Sequence, residues 1–260
     1  MQFNLIIIGD EILHGSREDK HFIFFKTLLE QHGFQLGMVQ YLPDDREILI
    51  RQLKRSFEDA MPTFVTGGIG STPDDHTRQA AAEALGLDIE NHPVAAGYIE
   101  QVTLSRGETL DSLEHQRRLT MADFPKGSEL VENAYNRIAG FSIREHYFLP
   151  GFPVMVAPMA EWVLNRYYAD KFNQTEQASR SVWVFKLPES RIGRLMEQIQ
   201  QDYPGVKTFS LPTEKTEHKD AHIEFGIKAS GEACKLLDVA WPEVLAELEN
   251  LGGKLEEIKR

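Results

Sequence analysis

The chain alternates short apolar runs with amphipathic stretches from its first residues. Phe3 to Ile8 is a compact run, rich in isoleucine and polar only at Asn4, that ends in Gly9-Asp10-Glu11. It reads as a buried parallel strand delivering two acids at its C-terminal end. Phe22, Phe25, Leu28 and Leu29 recur at helical spacing, Gly33 closes that helix, and Phe34 to Gln40 predicts a second strand. Pro43-Asp44-Asp45 interrupts the chain and caps a helix whose apolar positions Ile48, Leu49, Leu53 and Phe57 follow the helical period. Thr63 to Thr66 predicts a third strand, which runs into Gly67-Gly68-Ile69-Gly70. The apolar face resumes at Ala80, Ala81, Ala84 and Leu85, so a helix follows, with Thr72 or Asp74 as N-cap and Pro73 near its first position.

Further along, Tyr98 to Arg118 is polar and helical without a clean apolar stripe, broken near Gly107, and reads as a cover over one face. The segment Phe124 to Asn133 turns into a strand. Arg144 to Leu149 is another, ending at Pro150-Gly151-Phe152-Pro153, and Met155, Met159, Trp162 and Val163 give the next helix an apolar side. Strands alternating with helices imply a parallel sheet with right-handed crossovers, whose ligands collect beyond the carboxyl ends of the strands. Asp10, Glu11, Asp44, Asp45, Asp74 and Asp75 all fall on that rim.

The polar stretch 170–180 lacks an apolar period and reads as a linker. Beyond it the pattern becomes a strand (Ser181 to Leu187), a helix (Pro188 to Gln201), two strands (Val206 to Leu211, His222 to Lys228) and a helical region that breaks or restarts at Trp241-Pro242. The expected fold is a three-layer α/β/α domain with a mostly parallel sheet over residues 1–169, plus a small α+β domain over 181–260.

Composition narrows the function classes. A chain of 260 residues can bury a sizeable core. Its net charge of −12 and the absence of any Lys/Arg block argue against a nucleic-acid partner. The one cysteine, Cys234, cannot form an intrachain disulfide and fits a reducing cytoplasm. No apolar run approaches the ~20 residues of a membrane helix, and the N-terminus lacks a signal-peptide pattern. We therefore expect a cytoplasmic protein with no membrane partner.

The stretch Phe64 to Thr77 carries the candidate chemistry. Gly67, Gly68 and Gly70 permit positive φ and close backbone approach, and the following helix start offers free N–H groups to an anion. Asp74 and Asp75 would repel a phosphate unless a cation or proton lies between. They point to a metal-assisted site, or to one acid that caps while the other reacts, against the plainer reading that both only cap the helix.

The run Thr-Gly-Gly-x-Gly-x-Thr-Pro-Asp-Asp-x-Thr resembles the signature of the molybdopterin-binding fold in the N-terminal domain of the competence-damage inducible (CinA) family. The likeness extends over Gly9-Asp10-Glu11-Ile12-Leu13-x-Gly15, Asp44-Asp45, Met121-x-x-Phe-Pro125-x-Gly127, Asn133, Gly140-Phe141 and Leu149-Pro150-Gly151-x-Pro153. The tail, with Leu187-Pro188-Glu189-Ser190 and Ser210-x-Pro212, is similar to the family's second domain. Related proteins of the MogA/MoaB type bind molybdopterin and activate it by adenylylation, others hydrolyse ADP-ribose-like pyrophosphates with a divalent metal, and a related domain is fused to FAD synthases. The resemblance implies a phosphate or pyrophosphate ester as ligand. It implies homo-oligomers as well.

The chain departs from the family pattern at four places, one of them Ile138-Ala139-Gly140-Phe141 where the family has Ala-Pro-Gly-Phe. Ser71 replaces a proline, Asp19-Lys20-His21 stands where the family has Asp-x-Asn, and Pro153-Val154-Met155 lacks the usual glutamate. We expect Thr66, Gly67, Gly68, Gly70, Ser71, Thr72 and Thr77 to hold phosphate, Asp75 and Asp45 to act catalytically, and Asp10, Glu11 and Asp75 to hold Mg²⁺ or a similar ion. Two functions follow from the same residues. One is a metal-dependent hydrolase of a nucleotide pyrophosphate such as ADP-ribose; the other is a molybdopterin- or nucleotide-binding protein without catalysis.

Overall fold

The computed structural model describes residues 1–174, 176–216 and 220–258. The chain divides into two compact units, Met1–Phe172 and Asn173–Arg260.

In the first unit β1 (Gln2–Ile8) leads through the short α1 (Asp10–Leu13) and α2 (His21–Gln31) to β2 (Gln35–Leu42). Then come α3 (Arg46–Asp59), β3 (Thr63–Thr66), α4 (Thr77–Leu85), β4 (Ile89–Asn91), α5 (Pro93–Ser105), α6 (Leu113–Leu119) and β5 (Asp123–Pro125). The unit closes with β6 (Glu129–Val131), β7 (Gly140–Ile143), β8 (His146–Leu149) and α7 (Pro153–Tyr167). The main sheet has the order β2-β1-β3-β8-β7-β6. Its first four strands are parallel, and β7 and β6 join antiparallel.

Strand alternation divides the core. Phe3, Leu5 and Ile7 of β1 pack with Phe25, Leu29, Phe64, Val156 and Met159, under α2 and α7. Ile6 and Ile8 face the other way, onto Leu49, Leu53, Ala80 and Ala81 of α3 and α4. A sheet buried on both faces explains why β1 runs apolar from Leu5 to Ile8 and why all four residues of β3 are buried. It also places every β-to-α turn of the parallel strands at one rim.

The second unit is a four-stranded antiparallel sheet, β10-β11-β9-β12, built from β9 (Gln177–Phe185), β10 (Lys207–Thr213), β11 (His222–Ser230) and β12 (Lys254–Glu257). Its helices α8 (Gly193–Asp202) and α9 (Leu237–Asn250) bury Leu195, Ile199, Leu237, Ala240, Val244 and Leu248 against Val184, Phe225 and Ile227. Among the described residues no helix is long and apolar enough to cross a membrane.

The structure corrects several expectations. β9 begins at Gln177, inside the stretch read as a linker, because Gln177 to Arg180 pair with Ile227 to Ser230 of β11. Lys254 to Glu257 form an edge strand on β9, with Glu256 and Glu257 exposed. α9 runs through Pro242 without a break, since the buried face from Leu237 to Leu248 outweighs one lost N–H bond. The helix after the glycine loop starts at Thr77 with His76 as N-cap and no side-chain cap, so neither Thr72 nor Asp74 caps it.

Candidate ligand site at the glycine loop

β3 ends at Thr66 and the chain turns at Gly67 and Gly68, with φ of +99° and +66°. A Cβ on Gly67 would lie 2.2 Å from the carbonyl oxygen of Ile8, and one on Gly68 would lie 2.1 Å from Oγ1 of Thr77. Only glycine fits either position.

Two residues of α4 then fix four consecutive peptide units. Thr77 donates from Oγ1 to the carbonyl of Gly67 (3.1 Å) and from its amide to that of Gly68 (3.0 Å). The Arg78 guanidinium, buried beneath the loop, donates to the carbonyls of Ile69 and Gly70, the latter at 2.7 Å. A trans peptide points its N–H opposite to its C=O. Turning these four carbonyls onto α4 therefore turns the amides of Gly68, Ile69, Gly70 and Ser71 away from it, and among the described residues none of these amides has an intramolecular acceptor. The flanking amides are spent: Gly67 donates to Leu149 O (3.0 Å) and Thr72 to Asp75 Oδ2 (2.9 Å). The expectation that the Gly67 amide holds phosphate is thus corrected; the cradle runs from Gly68 to Ser71.

These residues line a cavity of about 490 Å³. Its wall also includes Glu11, Ile12, Arg17, Glu18, Lys20, His21, Asp44, Asp74 and Asp75, the segment Pro150 to Pro153 with Met155, and Arg106, Arg118 and Met121 from the α5–α6 arm. Of the expected residues, Gly67, Gly68, Gly70, Ser71, Thr72, Asp75 and Glu11 meet on this wall. Thr66 and Thr77 are buried behind it, Thr77 as a fastener of the loop. Asp45 is the N-cap of α3, accepting from the Ile48 amide at 2.8 Å, so its carboxylate is turned to the helix and its neighbour Asp44 faces the cavity.

The acids at this end are linked. Asp44 Oδ2 accepts from the Asp10 amide at 2.9 Å, joining the turns after β1 and β2. Burial, together with the charges of Asp10, Glu11 and Asp74, raises the pKa of Asp44; the hydrogen bond from Asp10 works against that. Arg78 experiences the reverse balance: burial lowers its pKa, and Asp75 and Asp123 offset the penalty. Among the described residues no group of three or more His, Cys, Asp or Glu side chains is placed to hold a metal ion. Asp10, Glu11 and Asp75, expected to hold an ion that also bridges ligand phosphates, do not by themselves form such a group.

Several functional candidates escaped sequence reading. Arg78 sits one residue after Thr77 in the helix pattern, and nothing in that pattern marks its guanidinium as folding back under the loop. Arg17, Lys20, Arg106 and Arg118 come from irregular or polar segments whose only signal was charge. The departures from the family pattern reach the cavity too: Met155 presents a thioether to the wall, with Asn136 Nδ2 3.6 Å from its Sδ, and His21 packs there with Nε2 3.2 Å from Gly151 O.

The profile of the family described as "Probable molybdopterin binding domain" matches residues 4–169. A CinA-like protein of Desulforapulum autotrophicum is 28% identical over 217 residues, covering 80% of this chain and 50% of its own length. A protein of Aeropyrum pernix is 26% identical over 264 aligned residues, covering 97% and 96%. The crystal structure of CinA from Thermoplasma acidophilum superposes with a TM-score of 0.55 at 24% identity, over 64% of this chain and 98% of that one, which shows a shared fold. The chain spans about half the length of the first CinA-like proteins it matches. With its glycine loop, its two-sided parallel sheet and this match over nearly all of the first unit, the chain belongs to the probable molybdopterin binding domain family.

Proposed function

We propose that the first unit binds a small molecule through a phosphate or pyrophosphate group, a nucleotide or a pterin, seated on the amides of Gly68 to Ser71. The observation that carries this reading is the orientation of those four peptides, whose carbonyls are all held by Thr77 and Arg78. Preoriented amides bind an anion without the cost of ordering a loop. The family's description favours a pterin, and the cavity volume suits a ligand of either size.

A second reading, hydrolysis of a nucleotide pyrophosphate such as ADP-ribose, rests on Asp44. Its carboxyl faces the cavity with its proton favoured by burial and neighbouring acids, as proton transfer requires. Mg²⁺ commonly binds through one or two carboxylates plus substrate phosphates. A cation fits this acidic end only in that form, brought together with the ligand.

Calorimetry with ADP-ribose, ADP and a pterin phosphate, followed by chromatography of the same mixtures with and without Mg²⁺ or Mn²⁺, separates the two. Binding without turnover supports the first reading, and metal-dependent release of AMP from ADP-ribose supports the second. No binding of any of them overturns both.

A further inference from the structure

The acids of the cavity wall come from the segments at 11–18, 44 and 74–75, whereas the α5–α6 arm contributes Arg106, Arg118 and Met121 and no acid. The arm therefore forms a cationic end of the cavity wall, whereas the 11–20 segment mixes Glu11 and Glu18 with Arg17 and Lys20.

The cationic end is built. The Arg118 side chain is 13% exposed, and its Nη2 lies 2.8 Å from Oε2 of Glu108. Its Nη1 donates to Oγ1 of Thr103 at 2.7 Å, and that buried hydroxyl also meets Nδ1 of the buried His115 at 2.9 Å. One of its five donors is thus spent on Thr103 and the Glu108 ion pair steadies the fork, leaving the other donors for the cavity. Arg106 lies at the C-terminus of α5, exposed, and its side chain has no partner among the described residues. In a chain of net charge −12, two arginines on one arm facing a cavity mark a site for a second anion.

We propose that Arg118, with Arg106 beside it, forms a second anion subsite on the α5–α6 arm, so that the cavity selects ligands carrying negative charge at two positions over ligands carrying it at one. This rests on the phosphate reading of the loop. Glu108 and Thr103 act as positioning residues that hold the guanidinium ready.

The test is calorimetry of the full chain with ADP and AMP, using Arg118→Gln, Arg106→Gln and, for the loop, Arg78→Met. Arg106→Gln removes an exposed side chain, so its fold is safe; the folding of the other two is checked by circular dichroism. The expected result is a loss of about tenfold or more in ADP affinity in Arg118→Gln, a smaller loss in Arg106→Gln, and a change in AMP affinity of less than about threefold in both. Equal losses for the two nucleotides would mean that Arg118 only braces the arm, and no loss in Arg106→Gln and Arg118→Gln alike would remove the subsite. If both nucleotides bind and only Arg78→Met weakens them, the loop reading stands and the arm reading fails. If neither nucleotide binds the unaltered protein, both fail. Should Arg118→Gln not fold, Arg106→Gln and the charge-keeping Arg118→Lys decide by the same ADP-to-AMP ratio.

Discussion

Thr72 and Asp75 close the far end of the glycine loop on each other: the amide and hydroxyl of Thr72 both donate to Oδ2 of Asp75, at 2.9 and 2.5 Å, and the Asp75 amide returns to the Thr72 carbonyl at 3.1 Å. The same carboxylate is one of two charges that offset the burial of Arg78. Asp75 thus holds the loop and neutralises its brace. We expect Asp75→Asn, which can still accept one bond, to cost about 1 kcal/mol, and Asp75→Ala about 2 kcal/mol, in urea denaturation. Ligand affinity should fall in both. Full affinity in Asp75→Ala would separate the clasp from the site.

Arg78 gives a sharper prediction because it acts on backbone alone. Arg78→Met leaves the carbonyls of Ile69 and Gly70 without their donors in a buried setting, a cost on the order of 2 kcal/mol, and frees the last two peptides of the cradle to rotate. Ligand affinity should drop at least tenfold. Arg78→Lys, with one donor group in place of a fork, should fall between the two.

Much of this was legible in sequence, and the boundary is physical. The run Leu5 to Ile8 of β1, the pair Phe64-Val65 of β3 and the 3.6-residue period of α3 made the parallel sheet readable, because burial on both faces leaves successive apolar residues. The glycines marked the loop, since positive φ at Gly67 and Gly68 admits little else. The short strands β4 and β7 went unread because three or four residues carry no period. The arginines were hidden for a different reason: Arg78 under the loop and Arg106 and Arg118 on the cavity wall gain meaning from where the fold points them, and charge on a polar helix has the same sequence signal whether it faces water, a loop or a cavity.

Asp44 should show the opposite balance to Asp75. Its folded pKa is raised by burial and by Asp10, Glu11 and Asp74. An acid with a raised pKa in the folded state destabilises the fold when ionised, a cost absent near its ordinary value of 3.8 and growing as pH rises through the folded value. Asp44→Asn keeps an acceptor for the Asp10 amide and removes the charge. Its melting temperature should exceed that of the unaltered protein at pH 7, with the difference shrinking toward pH 4, while any metal-dependent turnover is lost. An Asp44→Asn protein less stable at pH 7 would show that the Asp10 hydrogen bond dominates.

His146, fully buried at the start of β8, sets the response to acid. Its Nδ1 lies 2.9 Å from Arg144 O and its Nε2 2.8 Å from Ser56 Oγ, an arrangement that satisfies the neutral ring with Nδ1 protonated. Burial lowers its pKa from 6.5 to about 4, against a raising contribution from the Arg144 carbonyl. A depressed pKa means the unfolded chain binds the proton first, so this stability is present above pH 6.5 and is lost as pH falls toward 4, by about 3 kcal/mol at most. Denaturation at pH 7 and pH 5 should show a drop that His146→Phe reduces; an unchanged drop would assign acid sensitivity elsewhere, with His21, also shifted down by burial, the next residue to test.

The central claim is that the amides from Gly68 to Ser71 receive a phosphate, and amide-resolved NMR of the full chain tests it most directly. On titration with ADP we expect the largest proton and nitrogen shifts at Gly68, Ile69, Gly70 and Ser71, with slowed hydrogen exchange there and little change at Gly67, whose amide is already bonded to Leu149. Shifts that bypass these four amides, or that centre on another part of the chain, would contradict the account.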